Sequence, residues 1–196
     1  MTNKIFIASR NRGKIREIEN SLTGLNISFS SLLDISDIQD IKETGKTFEE
    51  NALIKAQASY NKVRIPVLAD DSGLEADYLK GEPGVLSARY AGEVTDDLKN
   101  CRKLLKKLHG VSSSDRKARF RCILVFLDEN GPKYFEGVCN GTIIEEIRGV
   151  NGFGYDPLFV PDGFSKTFAE LDLETKNKIS HRGIALQKLK NFLIAK

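Results

Sequence analysis

Two apolar patterns follow one another along this chain: short continuous apolar runs, and apolar residues spaced three and four apart. The segment Lys4-Ile-Phe-Ile-Ala8, which is apolar after its lysine, and the apolar run at residues 67–69 predict buried strands. Helical spacing predicts a helix over about residues 15–22. The capping box Thr47-Phe-Glu-Glu50 predicts the start of another helix, which runs to about Lys62. Strands and helices therefore interleave in this part of the chain.

Two more helices are predicted in the second half of the chain. The first spans about residues 96–108 and ends at His109-Gly110, and the last spans about residues 184–194. Their predicted inner faces consist of Leu98, Cys101, Leu104, Leu105 and Leu108 in the first, and Leu186, Leu189, Phe192 and Leu193 in the last.

The segment between these helices has the pattern of antiparallel strands. Residues 118–128 and 133–138 alternate or run apolar on either side of Glu129-Asn-Gly-Pro132, which predicts a β-hairpin. Residues 141–147 predict a third strand. Interleaved helices and strands followed by a meander predict an α/β fold with a mixed β-sheet and flanking helices. Because no repeat, linker or composition break divides the chain, one domain is predicted over residues 1–196.

Composition and charge exclude several classes of protein. A hydrophobic fraction of 40% is ordinary for a globular protein, and a net charge of +3 argues against a dedicated nucleic-acid binder. No apolar run approaches the ~18 residues of a membrane span, and the N-terminus lacks the apolar core of a signal peptide. The cysteines form neither a disulfide framework nor a Cys-x-x-Cys zinc pair, so we expect a reducing cytoplasm. They are Cys101, Cys122 and Cys139.

Two adjacent carboxylates, Asp70 and Asp71, directly follow the apolar run at residues 67–69. Asp and Gly are poor strand residues, so the chain is expected to leave the sheet at Asp-Asp-Ser-Gly. Ligands of open α/β sheets bind at such strand ends, and carboxylate oxygens suit Mg²⁺. Strand side chains alternate between faces, so one aspartate is expected to face the site. The alternative is a turn with solvated charges.

A basic, glycine-containing segment, Ser9-Arg10-Asn11-Arg12-Gly13-Lys14, lies between the first strand and the first helix. Helix N-terminal amides and nearby cations favour a phosphate. The segment lacks the spacing of a Walker loop. The alternative is an Asn-capped helix with solvated basic residues.

Two more charged residues are candidates. Lys55 has only small or short residues around it on its helix, so it can approach an anionic site, or else extend to water. Glu43 precedes a turn and is either a second metal ligand or a surface residue.

Two later segments carry candidate binding residues. In the segment 151–159, glycines flank Phe153 and Tyr155, so a planar base can stack on one of the rings, or else the rings fill the core. In the segment 176–183, Lys176, His181 and Arg182 supply donors before the last helix, with a solvated basic turn as the alternative.

Together these segments resemble one family, the inosine triphosphate pyrophosphatases, also called non-canonical purine nucleoside triphosphate pyrophosphatases. The matching blocks run in family order over essentially the whole chain. They are Ser9-Arg-Asn-Arg-Gly-Lys14, Glu43-Thr-Gly-Lys-Thr-Phe-Glu-Glu-Asn-Ala52, Ala69-Asp-Asp-Ser-Gly-Leu74, Gly81-Glu-Pro-Gly84 with Ser87-Ala-Arg-Tyr-Ala-Gly92, Gly152-Phe-Gly-Tyr-Asp-Pro157 and Ser180-His-Arg-Gly183.

The resemblance implies an elongated two-lobed fold with the active site in a cleft between the lobes, a homodimer, and a requirement for Mg²⁺. It implies hydrolysis of dITP, ITP and XTP to the monophosphate and pyrophosphate. Two positions depart from the family pattern: Ser9 stands where Thr is frequent, and Leu86 stands where an aromatic residue is common.

The resemblance also implies a role for each candidate residue. Asp71 is the proton acceptor and a metal ligand, Glu43 is a second metal ligand, and Lys55 supports the reacting phosphate. Ser72 contacts substrate, and the segment from Ser9 to Lys14 cradles the phosphates. The base and sugar end is assigned to Phe153, Gly154, Tyr155, Asp156, Lys176, His181 and Arg182.

Two other functions compete with this interpretation. One is a phosphatase that uses the same carboxylates and releases orthophosphate. The other is a nucleotide- or RNA-binding module without turnover, which predicts salt-sensitive binding. The acidic pair Asp70-Asp71 and the modest net charge count against the second.

Overall fold

A mixed six-stranded sheet forms the framework of the computed structural model, which describes residues 3–35 and 41–195. The strand order is β2-β1-β3-β4-β5-β6. The strands are β1 (Asn3–Ile7), β2 (Ile27–Ser31), β3 (Val67–Ala76), β4 (Lys117–Asp128), β5 (Gly131–Ile143) and β6 (Phe159–Pro161). The helices are α1 (Arg12–Ser21), α2 (Phe48–Val63), α3 (Asp97–Lys107), α4 (Leu173–Ile179) and α5 (His181–Ala195). Strand β1 pairs in parallel with β2 and β3, whereas β5 pairs antiparallel with β6, so the predicted α/β fold with a mixed sheet is confirmed.

The chain divides into two compact units, each with its own hydrophobic core. Unit 1 comprises Met1–Asp71, Cys122–Gly137 and Arg182–Lys196, and its core includes Ile18, Leu68 and Leu124. Unit 2 comprises Ser72–Arg121 and Val138–His181, and its core includes Leu104, Phe159 and Phe168. The single domain over residues 1–196 and the cleft between lobes stay predictions.

The expected exit from the sheet at Asp70 is wrong, because β3 continues to Ala76. Asp70, Asp71 and Gly73 therefore lie within a buried strand and not in a turn. Cations contact both carboxylates: the partly exposed Lys14 and the buried Arg182 at Asp70, and the buried Lys55 at Asp71. Tertiary ion pairing thus overrides the low strand propensity of aspartate.

The third strand of the meander is also placed differently from the prediction. Residues 141–143 belong to β5, and the strand that pairs with them is β6. Gly141 permits this pairing, because a Cβ at this position would lie 2.3 Å from the carbonyl oxygen of Val160. Close approach of the two backbones therefore explains the glycine within the strand.

The helices agree with the sequence patterns except at four points. Helix α1 begins at Arg12, so Arg12, Gly13 and Lys14 lie in its first turn and not in a preceding turn. Helix α4 was missed, although Asp172 caps it by accepting a hydrogen bond from the Thr175 amide at 2.7 Å. Helix α5 begins at His181, so His181 and Arg182 lie in its first turn and not in a preceding turn. Leu98 is half exposed and does not belong to the inner face of α3.

Two predictions about the cysteines and the membrane can be compared with the structure. All three cysteines are buried and free of disulfides, as predicted. Within residues 3–35 and 41–195, no helix combines the length and the apolar character needed to cross a bilayer.

Candidate active site

The basic segment after β1 forms the N-terminal end of α1. Asn11 caps the helix by accepting a hydrogen bond from the Lys14 amide at 3.1 Å, and Ser9 Oγ accepts one from the Asn11 amide at 3.1 Å. Arg12 is exposed, and the first turn of α1 has no acidic residue. The Asn cap is therefore present, and the positive end of the helix dipole is reinforced by basic side chains, which favours an anion.

Asp70 and Asp71 project from adjacent positions of β3 and have different hydrogen-bond partners. Asp70 accepts from Lys14 Nζ, from Arg182 Nε at 2.9 Å and from Cys122 Sγ at 3.1 Å. Asp71 accepts from Lys55 Nζ at 2.9 Å. This difference agrees with the alternation of side chains along a strand. The two aspartates therefore belong to two separate clusters of unit 1.

The Asp71 cluster is organised by Lys55, which α2 presents from a buried face with small neighbours. Lys55 Nζ donates to Asp71 Oδ1 and also to Glu43 Oε1, the latter at 3.1 Å. Asp71 Oδ2 is buried and has no hydrogen-bond partner among the described residues. The cluster thus contains one ammonium, two carboxylates and one buried oxygen able to accept a further bond.

Burial and charge act in opposite directions on the protonation of this cluster. Burial lowers the pKa of Lys55, but the carboxylates of Asp71 and Glu43 outweigh burial and raise it. Burial raises the pKa of Asp71 above its ordinary range, although Lys55 opposes this shift. Lys55 is therefore a stable cation, and Asp71 has more affinity for a proton than a solvated carboxylate, which suits a general base.

The donor set of this cluster fits Mg²⁺, which proteins hold through one or two carboxylates while water and substrate phosphates complete its shell. Glu43 and Asp71 converge on the same ammonium, and Asp71 Oδ2 lacks a partner among the described residues. In the part of the chain that the structure describes, no three His, Cys, Asp or Glu side chains gather as a larger metal site.

The Asp70 cluster is a network of buried ion pairs. Arg182, 2% exposed, donates from Nε to Asp70 and from Nη1 to Glu17 Oε2 at 2.5 Å. Burial alone would raise the pKa of Asp70, but Arg182, Lys14 and Lys55 hold it well below the usual range. Sequence analysis missed Glu17, whose place between the apolar residues Ile15 and Ile18 of α1 was the available signal.

The aromatic loop of unit 2 is fixed by hydrogen bonds to its backbone. The Phe153 amide donates to Asp156 Oδ2 at 2.8 Å, and the Gly154 amide donates to Asp97 Oδ2 at 2.7 Å. Tyr155 is buried, and its hydroxyl donates to the Ser87 carbonyl at 2.9 Å. Tyr155 thus fills the core, whereas Phe153, which is partly exposed, is the ring that can stack on a base.

A buried ion pair lies behind Phe153. Lys176 Nζ donates to Asp156 Oδ2 at 2.7 Å and lies 4.9 Å from the centre of the Phe153 ring. His181 is also buried, and its ring stacks on Phe120 with centroids 4.7 Å apart. Unit 2 thus presents an aromatic ring with an ammonium behind it.

The predicted site residues therefore fall into two groups. Unit 1 holds the α1 N-terminal segment, Glu43, Lys55, Asp71 and Arg182, and unit 2 holds Ser72, the aromatic loop, Lys176 and His181. Ser72 follows Asp71 in β3 and is partly exposed. The guanidinium of Arg182 lies between Asp70 and Glu17 of unit 1, and its predicted role at the base end stays a prediction. Asp97, which fixes the aromatic loop, was not predicted.

A mixed α/β sheet that carries a lysine–carboxylate cluster and a basic helix N-terminus is typical of the class of proteins that bind phosphorylated ligands. Comparison with known families shows to which family of this class the chain belongs. The profile of the Ham1 family matches residues 5–192, and the chain belongs to this family. The predicted family resemblance is thereby confirmed.

Individual relatives agree with this assignment. A dITP/XTP pyrophosphatase of Bacillus licheniformis is 51% identical over 191 residues, which cover 97% of each chain. A dITP/XTP pyrophosphatase of Geobacter sulfurreducens is 49% identical, covering 97% of this chain and 96% of the relative. The structure of a HAM1 protein from Coxiella burnetii superposes with a TM-score of 0.90 at 43% identity, covering 99% of this chain and 100% of that one.

Proposed function

We propose that this protein hydrolyses non-canonical purine nucleoside triphosphates, dITP, ITP and XTP, to the nucleoside monophosphate and pyrophosphate. The observation that carries the proposal is the cluster in which the buried Lys55 contacts both the buried Asp71 and the partly exposed Glu43. Membership of the Ham1 family, and relatives named dITP/XTP pyrophosphatase, support the choice of substrate.

In this mechanism Asp71 accepts the proton of the water that attacks the phosphate. Its raised pKa fits that role, and so does its Oδ2, which has no hydrogen-bond partner among the residues the structure describes, because a base must be able to reach the water and hold its proton. Lys55 stabilises negative charge that develops on the phosphoryl oxygens. A Mg²⁺ ion held by Glu43 and Asp71 would supply further charge compensation for the triphosphate.

The segment from Ser9 to Lys14 is assigned to the phosphates. The helix dipole of α1 and the exposed Arg12 side chain favour an anion there. The ammonium of Lys14 lies at Asp70 and is the charge that meets the phosphates from this segment.

The base is assigned to the loop from Phe153 to Asp156, with Lys176 and His181. A purine stacks on Phe153, a contact worth roughly 1–3 kcal/mol for a base on an aromatic ring. An ammonium only donates hydrogen bonds, so Lys176 matches the 6-keto oxygen of hypoxanthine or xanthine. The 6-amino group of adenine is a donor, and unpaired polar groups of this kind reject an analogue by about 10⁴-fold or more.

Three accompanying properties are proposed on family resemblance: dependence on Mg²⁺, a homodimer, and a place in the cytoplasm. Light scattering of the purified protein measures the number of chains in the assembly directly. A mass of one chain in solution would remove the dimer from the proposal. Titration with EDTA followed by Mg²⁺ tests the metal: activity should be lost and then restored.

The decisive experiment measures turnover of dITP, XTP, GTP and ATP with and without Mg²⁺, and assays pyrophosphate and orthophosphate separately. Pyrophosphate from dITP and XTP, with little from ATP, is the expected result. Release of orthophosphate alone would favour the phosphatase alternative. Binding without turnover would favour the binding module and overturn the proposal.

A further inference from the structure

We infer that Arg182 is a positioning residue for the phosphate end of the site, which acts by holding Asp70 and, through it, the ammonium of Lys14. The inference rests on the proposed function and assigns Arg182 a role different from reading the base. Its Nε and Nη1 both point at carboxylates of unit 1, Asp70 at 2.9 Å and Glu17 at 2.5 Å.

Asp70 links the arginine to the lysine. Arg182 occupies its Oδ2, and Lys14 Nζ donates to its Oδ1. The side chains of Asp70, Glu17 and Arg182 are almost fully buried, whereas that of Lys14 is 16% exposed. Lys14 is therefore the member of the network that an incoming phosphate can reach.

Glu17 connects the network back to the helix that carries Lys14. Lys14 and Glu17 both belong to α1, Asp70 belongs to β3, and Arg182 belongs to α5. Arg182 thus connects β3, whose Asp70 binds the ammonium of Lys14, to α1, which carries Lys14 itself. A guanidinium suits this role because its rigid planar fork fixes two carboxylates at once.

Charge balance gives the expected consequence of losing the arginine. Arg182 and Lys14 both form ion pairs with Asp70, at Oδ2 and Oδ1 respectively, and Arg182 also pairs with Glu17. Without Arg182, the buried carboxylate of Asp70 is less neutralised and holds the Lys14 ammonium more tightly. A phosphate then has to compete with this stronger carboxylate partner for the ammonium, so its affinity falls.

Pyrophosphate separates this role from base recognition because it has neither base nor sugar. In Arg182→Gln, we expect the Kd for inorganic pyrophosphate with Mg²⁺, measured by calorimetry, to rise by about tenfold or more. A change of this size corresponds to the loss of one charge-assisted hydrogen bond. Lys176→Gln is the matched control: it also removes a buried cation from a carboxylate, but at the base end. It should leave the pyrophosphate Kd within about twofold, while raising KM for dITP.

Two further variants separate positioning from general loss of structure. Arg182→Lys keeps the cation and should restore part of the pyrophosphate affinity. Glu17→Gln leaves the guanidinium to Asp70 alone, so Asp70 should hold the Lys14 ammonium less tightly and the pyrophosphate Kd should fall; this variant carries the test if Arg182→Gln does not fold. In a Lys14→Ala background, Arg182→Gln should have little further effect, because the affected ammonium is already absent.

The opposite result is equally clear. If Arg182→Gln and Glu17→Gln both fold and bind pyrophosphate like the unaltered protein, the inference is wrong, and so it is if the unaltered protein does not bind pyrophosphate. Failure of the proposed function would look different: the unaltered protein would bind pyrophosphate with this dependence on Arg182 and yet release none from dITP or XTP.

Discussion

Lys55 Nζ lies 2.9 Å from Asp71 Oδ1, and both side chains are buried. The contact pairs the proposed base with the cation proposed to stabilise the phosphoryl group. It also leaves Asp71 Oδ2 without a hydrogen-bond partner among the described residues. One oxygen of Asp71 is thus fixed by the lysine while the other is available for a water proton or a metal ion.

Replacement of Asp71 by Asn tests the proposed base. The amide is nearly isosteric and its oxygen can still accept from Lys55, but it cannot take a proton from water. We expect kcat for dITP to fall by about 10²–10⁴-fold. The circular dichroism spectrum should stay unchanged. Glu174→Gln, which alters an exposed ion pair on α4, is the control and should leave turnover unchanged. Near-normal turnover of Asp71→Asn would remove this residue from its assigned role.

Replacement of Lys55 by Met tests the proposed phosphoryl-stabilising cation. Methionine retains most of the apolar length of the side chain but brings no charge to Asp71 and Glu43. Removing one such donor commonly lowers kcat by about 10²–10³-fold, and we expect a loss of that size for dITP. Lys178→Met, at an exposed pair with Glu174, is the matched control. Equal turnover of the two variants would contradict the role of Lys55.

A substitution at Gly152 tests the organisation of the aromatic loop. An added Cβ would lie 2.0 Å from Asp156 Oδ2, the atom that accepts from both the Phe153 amide and Lys176. Gly152→Ala should therefore displace this carboxylate and raise KM for dITP, with pyrophosphate binding retained. Steady-state kinetics and calorimetry measure the two effects.

Gly163→Ala is the control for backbone strain. Gly163 has a φ of +83°, close to the +77° of Gly152, but a Cβ there would meet nothing within 4 Å. Both variants carry the conformational penalty of a left-handed backbone. An equal rise of KM in both would show that strain, and not contact with Asp156, is responsible.

The sequence predicts regular elements well where local pattern and local chemistry agree. Thr47 caps α2 as predicted, with its Oγ accepting from the Glu50 amide at 3.2 Å. Prediction failed where partners distant in sequence decide the outcome. Asp70 is 112 positions from Arg182, and no local pattern shows that this pair allows a strand to continue through two aspartates.

The same distinction applies within the candidate site. The small neighbours of Lys55 on α2 were visible in the sequence, and the structure does bring its ammonium to Asp71 and Glu43. For Arg182, no local pattern shows that its guanidinium reaches Asp70 and Glu17. The motifs predict which residues form the site, but only tertiary contacts show what each side chain faces.

Replacement of Asp70 by Asn tests the stability of the buried network. Breaking a buried ion pair typically costs about 3–5 kcal/mol, and we expect Asp70→Asn to lower the free energy of unfolding in urea by about 3 kcal/mol at pH 7. Arg182 retains Glu17, which limits the loss. Glu174→Gln, at an exposed pair, should give no measurable change.

The pH dependence of this deficit has a definite sign. The folded state holds the pKa of Asp70 well below its unfolded value of 3.8, so the unfolded state binds more protons as the pH falls. The contribution of Asp70 is present above that value and is lost as the pH falls below it. The difference between the unaltered protein and Asp70→Asn should therefore shrink below about pH 4, and a constant difference would contradict the charged network.

Because the cysteines are buried, the free energy of unfolding should decrease as the pH rises in the alkaline range. Burial raises the pKa of Cys101 and of Cys139 to about 12, from 9.0 for a solvated thiol. Below pH 9.0 both states hold these protons, whereas between 9.0 and 12 the unfolded state releases them first, so stability falls as the pH rises. Urea unfolding at pH 8 and pH 10 should show a smaller decline for Cys101→Ala and for Cys139→Ala than for the unaltered protein, because each variant lacks one of the thiols that titrate on unfolding. An equal decline in all three proteins would mean that these thiols ionise as readily in the folded state as in the unfolded state, and would contradict the raised pKa values.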